Sequence, residues 1–294
     1  GHPSVIDYNP PGGFWLEDHV ADQRSIGKIS LGGWDYVILQ EQSQVPTIDH
    51  WRYNSMYPSA DYLDSTITAN GGNTAFFMTW GRRNGGQQSI GGYSSPVFED
   101  YFHMQDSLAS AYTEISEMLS ATLCPVGLCW ATAVTLDPEI ELWAPDEAHP
   151  SLLGSYLAAC TFYGVFFDES PVGLSYTAGL TAEEAAFLQN AAYLTLGVKS
   201  PNPSEIPAVF SLFLNYPNPF NSSTILQFSL DGSADVKLIL FDNLGRRVKN
   251  LASKRMNRGV HKISFNAEGL STGVYYANLS ASDQSKTIVI ELIK

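Results

Sequence analysis

Basic side chains are scarce in this sequence. Its 294 residues include 16 lysines and arginines against 30 aspartates and glutamates, which gives a net charge of −14 at pH 7. Proteins that bind DNA or RNA neutralise phosphates with basic side chains, so this balance excludes a nucleic-acid partner. Charged residues make up only 16% of the chain and hydrophobic residues 44%, a composition that excludes wholesale disorder and supports a large packed core.

Long apolar runs and cysteines are also few. No run approaches the roughly 18 apolar residues of a membrane-spanning helix, and the first residues do not resemble a signal peptide, so we expect neither feature here. The three cysteines, Cys124, Cys129 and Cys160, are too few for a disulfide scaffold. Cys124 and Cys129 lie in a segment that reads as an extended strand, which would hold them too far apart for a bridge. We therefore expect three buried free thiols, with one bridge and a spare thiol as the alternative.

Charge and proline content divide the chain near residue 200. Residues 1–200 carry 6 basic and 23 acidic side chains, a net charge of −17, whereas residues 201–294 carry 10 and 7, a net charge of +3. Three prolines fall within seven residues just after residue 200, where each removes a backbone donor and favours extended structure. We therefore predict a first domain over 1–199, a linker over 200–208 and a second domain over 209–294.

Apolar runs alternate with helical patterns in the first domain. Short, nearly continuous apolar runs predict buried parallel strands, and apolar residues three or four apart predict helices between them. The predicted strands cover 5–8, 35–39, 74–80 and 126–132, and the predicted helices cover 53–70, 97–123 and 151–167. A further helix begins at a capping box formed by Thr181 and Glu184. This alternation indicates an α/β fold built on a parallel sheet.

The second domain has a different pattern. Apolar and polar residues alternate in runs rich in β-branched side chains, with glycine, asparagine and aspartate turns about every ten residues. These runs cover 224–230, 235–241, 261–265, 273–279 and 286–292. They predict an all-β, immunoglobulin-like sandwich of about seven antiparallel strands.

Motifs within this sandwich resemble the C-terminal sorting domain of the type IX secretion system. The segments that carry the resemblance are Leu214-Asn-Tyr-Pro-Asn-Pro-Phe-Asn221, Val236–Gly245, Gly259-Val-His261 and Leu270-Ser-Thr-Gly-Val-Tyr-Tyr276. The resemblance implies export from a diderm bacterium to the outer-membrane surface or the medium, with the type IX translocon as a partner. A generic sandwich closed by ordinary asparagine-proline and leucine-glycine turns is the alternative.

The sharpest signal for chemistry is the segment Pro145-Asp-Glu-Ala-His-Pro-Ser151. An aspartate three residues before a histidine can orient the imidazole and stabilise its protonated form, as the base of a nucleophile requires. Asp146 and His149 are therefore the candidate acid and base. The segment also fits a simple helix start, in which Asp146 or Ser151 caps the helix and His149 is exposed.

Three further segments place polar or flexible groups after predicted strands. Gly12 and Gly13 follow the first strand, where their backbone N–H groups can face an oxyanion. Gln40 and Gln42 follow the second strand, at the edge where open α/β sheets bind ligands. The segment Thr79–Gly85 follows the third strand in the same way.

Together with Asp146-x-x-His149, these segments resemble the later blocks of the SGNH (GDSL-like) hydrolases, a flavodoxin-like superfamily of esterases, lipases and carbohydrate deacetylases. The resemblance implies that Asp146 and His149 act as acid and base. It implies that the paired glycines supply oxyanion N–H groups and that Gln40 or Gln42 stands in place of the usual asparagine. It implies neither a metal ion nor a cofactor.

The nucleophile block of that superfamily is missing. Its members carry the serine in a Gly-Asp-Ser or Gly-Asn-Ser turn after the first strand, and no such turn precedes Val5. In the strand order 2-1-3-4-5 the first strand lies inside the sheet. Three explanations stay open: an N-terminal segment outside these residues, a cleaved piece that stays bound, or a strand donated by another subunit. Ser43 and Ser151 lie near the motifs, but neither sits on the elbow that exposes a nucleophile.

The remaining candidates are scattered. Six tryptophans can include a sugar-stacking surface, although large aromatic residues form the core by default. The Arg82-Arg83 pair can contact an anionic substrate, and His19 and His50 are isolated along the chain. The sequence predicts a secreted or surface-attached esterase that acts on a polysaccharide or another ester. The alternative is a non-catalytic surface or fibre subunit that self-assembles by strand donation.

Overall fold

The computed structural model of the chain describes residues 4–198, 210–213, 215, 218–230 and 232–294. The chain divides into two compact units, Gly1–Pro125 and Val126–Lys294. The linker predicted over 200–208 lies outside the described residues, so the boundary expected there stays a prediction. Within the described ranges, every helix is too short or too polar to act as a transmembrane segment.

The first unit combines helices with two small sheets. Its helices are α1 (Leu16–Ala21), α2 (Gln23–Ser30), α3 (Asp49–Trp51), α4 (Tyr57–Ala69) and α5 (Tyr101–Leu119), and a π-helical turn, Arg52–Met56, joins α3 to α4. Its strands are β1 (Tyr36–Leu39), β2 (Asn73–Phe77), β3 (Gly86–Ile90), β4 (Tyr93–Phe98) and β5 (Thr122–Cys124).

A parallel sheet forms the centre of this unit. Its strands run in the order β1-β2-β5, with Tyr36 opposite Asn73 and Phe76 opposite Leu123. β3 and β4 form a separate antiparallel hairpin. The parallel sheet with helices agrees with the predicted α/β class, and the carboxyl ends of its strands share one edge, where such sheets bind ligands.

The sequence explains α5 well. The Asp100 side chain accepts the backbone N–H of His103 at 2.9 Å and caps the first turn. Residues three or four apart then turn one face of the helix to the core; the buried ones are Met104, Leu108, Ala111, Tyr112 and Ile115. The helix is shorter than the predicted 97–123, because the two ends of that range belong to β4 and β5.

Two of the predicted strands are wrong. Residues 5–8 form no strand, and Val5 is 90% exposed. Instead, Asp7 pairs with Lys28 and Asn9 hydrogen-bonds to Asp22, so this segment is held by α2 and the residue before it rather than by a sheet. The run 126–132 is helical, and the strand lies just before it at Thr122–Cys124.

The error at 126–132 has a simple cause. A short, continuous apolar run suits a fully buried helix as well as a fully buried strand. Val126, Cys129, Trp130 and Ala133 are all completely buried. Pro125 marks the change, because proline ends a strand readily and is tolerated at a helix start.

The second unit begins with three helices. They are α6 (Val126–Leu136), α7 (Leu152–Phe167) and α8 (Ala182–Leu196). The predicted helix over 151–167 is confirmed, with Ser151 as its N-cap. The predicted capping box is also confirmed, since Thr181 and Glu184 exchange hydrogen bonds at the start of α8. At the other end of α8, Lys262 Nζ donates to the carbonyl of Leu196 at 3.1 Å.

Seven antiparallel strands follow among the described residues of this unit. They are β6 (Ser211–Leu212), β7 (Ser223–Leu230), β8 (Ala234–Asp242), β9 (Arg247–Met256), β10 (Gly259–Asn266), β11 (Gly273–Ala281) and β12 (Gln284–Leu292). One sheet has the order β10-β7-β6 and the other β12-β11-β8-β9.

Both sheets contribute to one buried core. Phe228 of β7, Leu238 of β8, Phe265 of β10 and Leu279 of β11 belong to the same cluster of buried apolar side chains. The predicted antiparallel sandwich therefore agrees with the fold. The sequence pattern missed β9, because six of its ten residues are exposed and four are charged.

The prediction of three free thiols is confirmed, although its reasoning was partly wrong. Cys124, Cys129 and Cys160 are all buried and unbridged. Cys124 ends β5 and Cys129 lies in α6, so the two do not share the extended strand on which the expectation rested.

Candidate functional site

The segment that contains Asp146 and His149 folds as a closed, hydrogen-bonded turn. The backbone N–H of Ala144 donates to the carbonyl of His149 at 2.8 Å, and that of Glu147 donates to Ala144 at 2.9 Å. Asp146 Oδ1 accepts the backbone N–H groups of Ala148 and His149 at 3.0 and 2.9 Å. The turn therefore fixes the aspartate with groups from its own sequence, without help from distant elements.

The other carboxylate oxygen of this aspartate binds the histidine ring. Asp146 Oδ2 lies 2.5 Å from His149 Nδ1. The hydrogen bonds from the His149 ring and from the backbone N–H groups of His149 and Ala148 lower the pKa of Asp146 to about 2. The carboxylate is therefore ionised at neutral pH and keeps a proton on Nδ1, so Nε2 of the neutral ring is the acceptor.

This pair is accessible from solvent. The side chain of His149 is 80% exposed and that of Asp146 is 50% exposed. Ser151 caps α7 and His149 is exposed, as the helix-start alternative expects, while the acid–base roles of Asp146 and His149 stay a prediction. The Ser151 hydroxyl donates to the Glu141 carbonyl at 2.7 Å and accepts the N–H of Gly154, which is a structural role.

The candidate oxyanion glycines belong to the first unit. Gly12 and Gly13 are exposed and form a turn between Pro11 and α1. Gly13 has a φ of +77°, a conformation that favours glycine, and a Cβ built on either residue meets nothing within 4 Å. The turn is therefore open, and its backbone can approach a ligand closely.

The two candidate glutamines follow β1 but have different surroundings. Gln40 is exposed. The side chain of Gln42 accepts the backbone N–H of Gln44 at 2.8 Å and donates to Gln44 Oε1 at 3.2 Å. Gln44 Nε2 in turn donates to Gln88 Oε1 at 2.9 Å. The amide of Gln42 thus supports the turn after β1, which leaves Gln40 as the freer candidate for a ligand.

Glu41, between them, was not singled out by sequence reasoning. It is 1% exposed, and its carboxylate accepts the backbone N–H groups of Gln42 at 2.7 Å and Leu16 at 3.2 Å. Burial is the main cause that raises the pKa of Glu41 to about 8. A glutamate two residues after a predicted strand was the available signal, but its burial depends on elements distant in sequence.

The described histidines of the first unit each contact another side chain. His19 Nδ1 lies 2.7 Å from Ser25 Oγ, and burial lowers the pKa of His19. His103 packs edge-on against Phe98. His50 stacks on Tyr93, with 3.4 Å between ring centroids. Among the described residues, no group of three or more histidine, cysteine or acidic side chains is placed to hold a metal ion.

Comparison with known proteins identifies the class of the C-terminal part. Residues 215–291 match the family model of the secretion system C-terminal sorting domain. This match confirms the resemblance seen in the sequence. The protein carries a sorting domain and is exported through the type IX secretion system to the cell surface or the extracellular space.

Solved structures give a similar fold for much of the chain. A DUF4886 family protein from Bacteroides uniformis is similar at 18% identity with a TM-score of 0.52, over 67% of this chain and 85% of that chain. PorZ, a surface component of the type IX secretion system of Porphyromonas gingivalis, is similar at 21% identity with a TM-score of 0.22, over 29% of this chain and 12% of that chain. The first likeness shows a shared fold. No curated protein matches the chain.

Proposed function

We propose that this protein is an exported ester hydrolase of the SGNH type, with Asp146 and His149 as its acid–base pair. The observation that carries the proposal is the 2.5 Å contact between Asp146 Oδ2 and His149 Nδ1. An ionised aspartate holds the imidazole in one tautomer and stabilises the imidazolium that forms when Nε2 takes a proton. The exposure of His149 lets a nucleophile and a polymeric substrate reach that nitrogen.

The proposed reaction is acyl transfer in two steps. His149 Nε2 takes the proton of a serine hydroxyl as the serine oxygen bonds to the ester carbonyl carbon. The carbonyl electron pair moves to oxygen, where backbone N–H groups donate hydrogen bonds, the role that the family resemblance gives to Gly12 and Gly13. The C–O bond to the alcohol then breaks, and the alcohol leaves with the proton from His149. Water repeats the sequence on the acyl-serine and releases the carboxylic acid.

The serine is the component that this proposal takes from the family resemblance. Ser151 caps α7, and its hydroxyl is engaged with Glu141 and Gly154, so it is unsuited to attack. The proposed serine belongs to the block that the resemblance places ahead of Val5. Its source is an upstream segment of the chain, a bound N-terminal piece or a neighbouring subunit.

Labelling of the natural exported protein tests this proposal. We expect a fluorophosphonate to label one serine in protein recovered from the cell surface or medium, and intact mass to show a chain heavier than 32.2 kDa or a co-purifying piece. His149→Gln should abolish labelling, whereas His103→Gln, a histidine on α5, should leave it unchanged. If the natural exported protein is not labelled, the proposed esterase activity is contradicted.

A surface or fibre subunit is the second candidate, favoured by exposed apolar side chains in the first unit. Val5 and Ile6 are almost fully exposed, and Ile38 on β1 is 46% exposed. A strand from a second copy would cover such residues. Light scattering tests this: self-association should be lost in Ile38→Lys and kept in Met118→Lys, an exposed position on α5. A wild-type monomer at every concentration argues against the subunit role.

A further inference from the structure

Four aromatic side chains from separate segments of the first unit lie in contact. Trp15 precedes α1, His50 and Trp51 belong to α3, and Tyr93 begins β4. The ring centroids of Trp15 and Trp51 are 5.1 Å apart, and those of Trp51 and Tyr93 are 5.4 Å apart. His50 stacks on Tyr93 at 3.4 Å, with ring planes only 2° from parallel. We call these four residues the aromatic platform.

Hydrogen bonds and close packing hold the platform in place. Trp51 Nε1 donates to the Ile90 carbonyl at 2.9 Å, which fixes the indole against the β3–β4 hairpin. Gly91 turns this hairpin with a φ of +57°, and a Cβ there would lie 2.9 Å from Trp51, so glycine permits the close approach. The backbone N–H of Trp15 donates to Asp18 at 2.9 Å. Fixed rings lose little conformational entropy when a ligand binds.

Solvent reaches the platform, unlike the aromatic residues of the core. Tyr93 is 44% exposed although His50 stacks on one face of its ring. Trp15 and Trp51 are half-buried, whereas Tyr112 of α5 is completely buried. The default assignment of large aromatic residues to the core therefore does not describe this cluster.

The hairpin that carries Tyr93 presents neutral polar groups, whereas carboxylates lie beside the other rings: Asp18 accepts the N–H of Trp15, and Asp49 precedes His50. Gln44 and Gln88 share an amide hydrogen bond of 2.9 Å, and the hydroxyls of Ser89 and Ser94 lie 2.7 Å apart on the hairpin that carries Tyr93. Amides and hydroxyls can both donate to and accept from the hydroxyl groups of a ligand. The net charge of −14 opposes an anionic ligand. Accessible aromatic rings beside amides and hydroxyls suit a sugar ring, which has an apolar C–H face and hydroxyl groups at its edge.

We propose that the aromatic platform binds neutral pyranose units of a polysaccharide, with a sugar ring stacked on Tyr93, whose ring stands at 82° to that of Trp51. Export through the type IX system brings the platform into contact with polymers outside the cell. The role of the platform as the substrate subsite of the hydrolase rests on the proposed function.

Isothermal titration of the full chain with xylohexaose, mannohexaose and chitohexaose measures sugar binding without any turnover. We expect at least one of the three to bind with a Kd below about 1 mM. Tyr93→Ala should weaken that binding about tenfold, because it removes the stacking face. Tyr93→Phe keeps the ring and should keep the affinity. Tyr62→Ala removes a similarly exposed tyrosine from α4 and serves as the matched control.

Two results overturn the proposal. One is the absence of heat for all three sugars up to about 10 mM. The other is a Tyr93→Ala protein that retains wild-type affinity. Hydrolysis of p-nitrophenyl acetate by the natural exported protein tests the hydrolase separately. Sugar binding without hydrolysis supports the platform and contradicts the proposed enzyme. Hydrolysis without sugar binding supports the enzyme and contradicts the platform.

Discussion

The carboxylate of Glu41 accepts the backbone N–H of Leu16, with its two oxygens 3.2 and 3.3 Å from that nitrogen. Leu16 is the first residue of α1, and Glu41 follows β1 by two residues. This contact therefore ties the start of the helix, and the Gly12–Gly13 turn before it, to the edge of the sheet where the parallel strands end. A buried acid thus positions the candidate oxyanion turn.

The first prediction concerns the pH dependence of stability. Burial raises the pKa of Glu41 to about 8, so the folded protein keeps a proton that the unfolded chain releases near its ordinary pKa of 4.5. The free energy of unfolding therefore falls as pH rises from about 4.5 to about 8, and levels off above. The loss attributable to Glu41 is on the order of 3–5 kcal/mol, since one pKa unit corresponds to about 1.4 kcal/mol.

Glu41→Gln should remove this slope, because glutamine keeps an acceptor for the Leu16 N–H and does not titrate. Urea unfolding from about pH 5 to about pH 9 measures the free energy for each protein. The exposed Glu99→Gln is the matched control and should keep the wild-type slope. An unchanged slope in Glu41→Gln would show that another group causes the pH dependence.

The second prediction concerns the tautomer of His149. The ionised Asp146 should hold the proton on Nδ1 of the neutral ring, and nitrogen NMR of labelled protein distinguishes the two tautomers. Asp146→Asn should remove this preference and lower esterase activity by about 10²–10⁴-fold in the natural protein. The spectrum of His261, which contacts the Asn257 carbonyl, should not change. A wild-type tautomer in Asp146→Asn contradicts the assignment of the pair.

The third prediction compares the two glycines before α1. Gly13→Ala should lower the free energy of unfolding by about 1 kcal/mol, because alanine is strained at a φ of +77°. Gly12→Ala should cost much less, since its backbone has no positive φ and a Cβ there meets nothing within 4 Å. Urea unfolding of both variants checks the difference. Equal losses would mean that the turn has a different conformation in solution.

The fourth prediction concerns export. Deletion of residues 215–294 removes the matched sorting domain and should stop the protein from reaching the cell surface or medium. Cell fractionation and immunoblotting of the source bacterium measure where the shortened chain accumulates, which we expect to be the periplasm. Lys254→Ala, a change on exposed β9, should export normally and controls for expression. Surface delivery of the deleted protein would contradict the role of this domain.

Several features of the fold and site could be predicted because they depend on neighbours in sequence. The Thr181–Glu184 capping box and the Ser151 cap are each completed within three residues. The Asp146–His149 pair forms inside one turn for the same reason. The C-terminal sandwich could also be predicted, because alternating apolar residues with regular turns indicate antiparallel strands directly.

Other features depend on contacts that no local pattern contains. Residues 5–8 have strand-like side chains, but pairing with another strand decides whether they form one. Residues 126–132 are apolar on every side, so only their surroundings separate a buried helix from a buried strand. The side-chain pattern of β9, with its exposed charged residues, does not indicate a strand, although its backbone pairs with β8.

The sequence by itself determined the helix caps, the hydrogen-bonded turn of Asp146 and His149, and the antiparallel strands of the C-terminal part. It also determined that the protein is exported. Only the tertiary structure decided that Glu41 is buried against Leu16 and that Trp15, Trp51 and Tyr93 form one exposed cluster. The physical reason is the range of the interactions. Caps and turns are satisfied within a few residues, whereas burial, pKa shifts and ring contacts arise when segments far apart in the chain exclude water together.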